Sequence, residues 1–197
     1  FSAGGLGAAL LMTFDEAGVT RLTLSAHSAG AIWACELLKT LAVTPNAPKV
    51  RLAFLAPAVR IDLFVEAMDA VGPLVEGLRI FTMRDALERA DPVLGAKLAF
   101  LYPASLLYLI SGAFEDAKSD AFPDAPLLQR FLTHAAGWLG DETQIAAVSR
   151  AMAILSKPNN GVVFSTIDDG PGQASQAVSH GGFDQDPQTL ASIVHFL

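Results

Sequence analysis

The stretch "LTLSAHSAGAIWACELL", residues 22–38, decides how the rest of the chain is read. It begins inside "VTRLTLSA", an alternating run rich in β-formers that predicts a strand. Without a spacer it becomes a helical pattern over residues 29–42, in which Ile32, Leu37, Leu38 and Leu41 recur on one expected apolar face. Ser28 stands at the junction, inside "AHSAG". A strand that turns so abruptly into a helix lifts the residue at the corner above the sheet in a strained conformation. Side chains two before and two after it would collide, and Ala26 and Gly30 are small. The helix behind the corner aims main-chain N–H groups at the serine, so the Ala29 N–H is a candidate oxyanion donor.

The rest of the chain repeats the strand-then-helix alternation. "VRLAFLAPA" is a short, almost wholly apolar strand of the kind buried on both faces of a parallel sheet, and "IDLFVEAMDAV" is the helix after it. "GLRIFTM" is a third strand, leading into "RDALERADPVLG". A fourth, "NGVVFSTI", runs into the turn-rich "DDGPGQ", and "DPQTLASIVHFL" closes the chain as a helix with Asp186 as N-cap and Pro187 at its first position. Strands separated by helices predict an α/β fold with a mostly parallel sheet flanked by helices. The third and fourth strands are much further apart than the two to six residues or so of an ordinary connection. A helical cap is therefore expected over residues 97–159, inserted into a core made of residues 1–96 and 160–197.

Composition narrows the function. The chain has 197 residues, of which 52% are hydrophobic and 17% charged, which suits one packed domain. A net charge of −7 and a pI near 4.9 argue against nucleic acid as a partner, because phosphate binding needs a basic face. No apolar run reaches the roughly 18 residues of a membrane span. Cys35 is the one cysteine, so no intrachain disulfide can form, and its place in a helix reads as a small buried hydrophobe. With no basic leader pattern, a cytoplasmic location is expected. Oligomeric state has no signal in the sequence.

With its elbow in place, the chain resembles the α/β-hydrolase superfamily, whose nucleophile turn is most often written GxSxG. The resemblance covers the core segments of the whole chain, and Ala26 stands where glycine is usual. It implies a triad in the order serine, acid, histidine. Asp85 follows the third strand and His180 lies in the loop before the terminal helix, so Ser28, Asp85 and His180 are the expected triad. Glu88 and Asp91 lie within one or two helical turns of Asp85 and compete with it. The resemblance further implies that the first strands of the fold, with the second oxyanion donor, precede this chain. "FTMRDALERAD" and "YPASLLYLISG" are also similar to segments of a group of microbial α/β-hydrolases.

The implied activity is cleavage of a carboxylic ester of a small or moderately apolar molecule, with no cofactor and no metal. His27, Leu106 and Leu109 are candidate pocket residues, with Phe131 and Trp138 on the same wall. His134 and His195 read as structural or surface residues. Asp168, Asp169, Asp184 and Asp186 near His180 suggest a cation site, but Asp169-Gly170 is a turn signal and Asp186 a helix cap. Two other classes compete: a hydrolase-like domain that binds without catalysing, and an interaction protein that assembles through its apolar cap. Activity that depends on His180 as a base is expected to fall as pH drops between 8 and 5.

Overall fold

The computed structural model describes residues 5–93, 103–110 and 142–197. Helix α1 (Leu6–Glu16) comes first and ends at Gly18, whose φ of +62° is the left-handed conformation that closes a helix cheaply only with glycine. Strand β1 (Arg21–His27), helix α2 (Gly30–Leu41), strand β2 (Lys49–Leu55), helix α3 (Ile61–Val71) and strand β3 (Val75–Met83) then follow in alternation. Short helices α4 (Asp85–Ala90) and α5 (Leu106–Leu109), the longer α6 (Glu142–Leu155) and strand β4 (Asn160–Ser165) come next. A hairpin of two-residue strands, β5 (Ile167–Asp168) with β6 (Ala174–Ser175), precedes helix α7 (Pro187–Phe196).

The four long strands form a parallel sheet in the order β1-β2-β3-β4, so the chain is α/β as the alternation predicts. Each crossover steps one strand along, and α2, α3 and α6 pack side by side on one face. Helix α7 packs on β3 and the hairpin. The inner strands β2 and β3 are buried almost throughout, whereas β1 alternates between exposed and covered residues. Phe54, Phe64, Phe81 and Phe183 are wholly buried, each contributing roughly 1.5–3 kcal/mol by leaving water.

Two local expectations change. Ile32 is 42% exposed, and the buried face of α2 is made instead by Ala31, Ala34, Cys35, Leu37, Leu38 and Leu41. Small residues at the start of that face and leucines toward its end pack against β1 and α3. Helix α6, assigned above to the cap, buries Val148, Ala151, Ile154 and Leu155 beside α3 and leads straight into β4, so it belongs to the helix layer of the core. The hairpin β5–β6 carries too few residues for any periodicity to be read. Apart from α5 and the residues beside it, the remainder of the expected cap, with His134, Phe131 and Trp138, lies outside the described residues. Cys35 is buried, and burial pushes its thiol up to about 12, which leaves it inert as a nucleophile. No helix among the described residues is long and apolar enough to cross a membrane.

Candidate functional site

The site forms where the C-terminal ends of the strands meet the loop before α7. Ser28 follows β1 with φ +53°, a left-handed conformation that is uncommon for a residue with a Cβ. The sheet holds it there. Its N–H donates to the carbonyl of Leu55 at 3.0 Å, and its carbonyl accepts from Ala58 at 3.0 Å and Ala31 at 3.1 Å. Strand β2 is followed by a second such residue, Ala56 with φ +39°, whose N–H donates to the carbonyl of Phe81. The serine corner is thus clamped by the ends of the two central strands.

Steric accounting at the corner agrees with the small residues around it. A Cβ built on Gly30 would meet the Cβ of Ala26 at 3.7 Å, ordinary contact, so the two positions face each other closely across the corner. Ala29 caps α2, and among the described residues its N–H meets no acceptor. That leaves the donor free for a ligand oxygen at the positive end of a helix.

His180 begins a short 3-10 turn, His180–Gly182, and is buried. Its Nε2 lies 2.9 Å from Ser28 Oγ, joining residues 152 positions apart. To accept the serine proton, Nε2 must be bare and Nδ1 must carry the ring's proton. Nδ1 is buried and meets no hydrogen-bond partner among the described residues. The turn itself is tight on one side only: a Cβ on Gly182 would stand 2.9 Å from Ser179 Oγ, while one on Gly181 would meet open space.

His27, the residue before the serine, proves to be a neighbour of the histidine. Its Nε2 donates to the main-chain carbonyl of His180 at 3.0 Å, and the two rings stand 5.4 Å apart at 30°. Since a carbonyl only accepts, His27 carries a proton on Nε2. His27, a candidate pocket residue, is thereby tied to the loop that holds His180.

The three candidate carboxylates separate cleanly. Asp85, the expected triad acid, opens α4 and accepts from Arg89 Nε at 2.8 Å and from the hydroxyl of Tyr108. Glu88 is buried and accepts from the hydroxyl of Ser105, the N-cap of α5, whose main-chain N–H also donates to the Glu88 carbonyl at 2.8 Å. Both fasten α5 to α4, and neither is hydrogen-bonded to the His180 ring. Asp91, just past α4, is the one that reaches the histidine: its Oδ2 accepts the main-chain N–H of His180 at 2.7 Å. On α5, Leu107 is the buried residue, and the candidate pocket residues Leu106 and Leu109 are half-exposed on either side of it.

Electrostatics at His180 are unusual. Burial, with a smaller push from His27, drives the imidazole down to about 4, against an opposing pull from Asp91. The ring is therefore the free base at every pH well above 4. This revises the expectation of a fall between pH 8 and 5. A reaction that uses His180 as base should have kcat/KM flat from pH 8 to 5, with its acid limb near pH 4. His27→Phe removes only the smaller push and leaves the ring buried, so it should move that limb upward only slightly. A wild-type limb between 6 and 7 would contradict this assignment.

Among the described residues, no group of three His, Cys, Asp or Glu is placed to hold a metal ion. Asp186 is committed elsewhere: it caps α7 through the Thr189 N–H at 2.9 Å and accepts from Gln176 at 2.8 Å. The arrangement offers a hydroxyl on a strained turn, a neutral imidazole in contact with it, and a helix-end N–H beside it. Those are the parts needed to add an oxygen nucleophile to a carbonyl and hold the resulting oxyanion. Compared with protein-family models, with curated proteins and with solved structures, the chain finds no match.

Proposed function

We propose that the chain is a serine hydrolase of the α/β-hydrolase kind, cleaving a carboxylic ester of a small or moderately apolar molecule. The observation that carries this reading is the contact of 2.9 Å between Ser28 Oγ and His180 Nε2, made with Ser28 at φ +53°. Nothing in the packing of the sheet requires a serine in that conformation, and a left-handed turn is cheaper with glycine.

In the proposed reaction, Ser28 Oγ adds to the ester carbonyl as its proton passes to His180 Nε2. The Ala29 N–H stabilises the oxyanion at the positive end of α2. When the tetrahedral intermediate collapses, the alcohol leaves with the proton from Nε2 and the acyl group stays on Ser28. Water then repeats the sequence, giving up a proton to Nε2, and releases the acid. Asp91 is the acid of this reading. Its hydrogen bond to the His180 main chain brings a carboxylate beside the ring, and catalytic hydrogen bonds often tighten only around bound substrate. His27 holds the His180 loop from the other side.

The unpartnered Nδ1 of His180 favours one rival, a domain that binds an acyl compound without turning it over. Labelling with a fluorophosphonate separates the two. Ser28 is expected to take the label in wild type, with labelling abolished in Ser28→Ala and slowed in His180→Ala. A folded wild-type chain that resists labelling would overturn the hydrolase reading.

A further inference from the structure

Away from Ser28, two arginines share one face of the sheet. Arg51 is the register partner of Gly77, and Arg79, two residues further along β3, is the partner of Gly161. The period of two puts both arginines on the face that meets Phe196 of α7. Their guanidinium carbons lie 5.7 Å and 5.0 Å from the centre of the Phe196 ring.

Three glycines clear space for this group. A Cβ on Gly161 would stand 3.2 Å from Arg79 Nη1, and one on Gly77 would stand 3.1 Å from the Phe196 ring. At Gly172, where φ is +78°, it would stand 3.1 Å from the His195 ring. Arg51, Arg79, His195 and Asn159 line an open cavity of about 210 Å³ in which no lining residue is acidic. Such a concentration of cations stands out in a chain with a net charge of −7.

The two arginines also lack the carboxylate partners that Arg60, Arg89 and Arg150 have. Each of those three pairs with an aspartate, but among the described residues neither Arg51 nor Arg79 is within ion-pair distance of a carboxylate. Arg51 gives one N–H to the Phe196 carbonyl at 2.7 Å. Arg79 Nε is buried with no hydrogen-bond partner, and burial holds its guanidinium below the usual arginine range. Buried charged donors are ordinarily satisfied, so an anion is the missing complement.

We propose that Arg51 and Arg79, with His195 at the rim, form a binding site for a phosphate group. A carboxylate brings one negative charge, whereas a phosphate group brings between one and two, together with three acceptor oxygens suited to guanidinium forks. The site lies on the face under α7, with Arg51 near the start of β2, while Ser28 stands beyond the end of β1. It therefore does not depend on the hydrolase reading.

The test is a titration of the whole chain with inorganic phosphate and, separately, with glycerol phosphate, at constant ionic strength made up with chloride, following the unfolding temperature. Wild type is expected to show a saturable rise. Arg51→Gln and Arg79→Gln should each weaken binding about tenfold to a hundredfold, the usual consequence of losing a charged hydrogen bond. Arg150→Gln, on the outside of α6, should bind as wild type does. Tighter binding of the monoester would assign a phosphorylated small molecule, and equal binding would assign free phosphate. Should Arg79→Gln not fold, Arg51→Gln carries the test, because its side chain is held only at the carbonyl of Phe196 and the ring face. No saturable response in wild type, or one that survives the loss of Arg51, overturns the proposal.

Discussion

Replacing Ser28 by alanine is expected to lower kcat/KM for an activated ester by about 10⁴-fold to 10⁶-fold, leaving the fold intact. The size follows from the absence of any substitute. The side chain that attacks is the one the turn presents; among the described residues no second hydroxyl is hydrogen-bonded to His180 Nε2, and Cys35 is sealed in the core. Alanine has the same Cβ and so accepts φ +53° at the same strain, which keeps the three main-chain hydrogen bonds of residue 28. Circular dichroism and unfolding temperature should therefore match wild type within a degree or two, while turnover collapses. A variant that keeps a tenth or more of the activity would mean that the hydrolysed ester meets some other group.

Asp91→Asn should cost about 10²-fold to 10⁴-fold in kcat with little change in stability, whereas Asp85→Asn should cost less than about tenfold in kcat but lower the unfolding temperature. The asymmetry comes from what each carboxylate touches. Asparagine at 91 can still accept the main-chain N–H of His180, so the loop stays put, but it brings no negative charge to meet the imidazolium formed as Ser28 attacks. Asparagine at 85 breaks the ion pair with Arg89 inside α4 and weakens the bond from Tyr108, which joins α4 to α5. The opposite pattern, with Asp85→Asn inactive and Asp91→Asn near wild type, would return the acid role to Asp85.

Why the acid could not be assigned from sequence is itself physical. Chain order says only that a carboxylate follows β3. Residues 85, 88 and 91 are three apart along a helix and its end, so they fall on neighbouring positions of one face, and spacing cannot rank them. What separates them is tertiary: Tyr108 and Ser105 arrive from α5 and take the first two. The strand-to-helix corner at Ser28 and the turn at His180 were legible because each is written locally, in small residues flanking a polar one. The link between His27 and the His180 carbonyl was not, since it depends on how closely the end of β1 approaches a loop 153 positions away. The same holds for Ile32, whose helical spacing is sound but whose side of α2 faces outward. The boundary of α6 was lost for a related reason: an amphipathic helix carries no local mark of whether its partner is a cap or a core helix.

The left-handed corner has an evolutionary consequence. Holding a residue with a Cβ at φ +53° costs on the order of 1–2 kcal/mol, a sizeable part of the 5–15 kcal/mol or so by which a domain is stable. Glycine at position 28 would relieve that cost and keep every main-chain hydrogen bond of the turn. Among descendants of this sequence, a lineage released from any need for a reactive hydroxyl should therefore drift to glycine at 28 before it loses the surrounding turn, and a lineage that keeps serine there does so against its own stability.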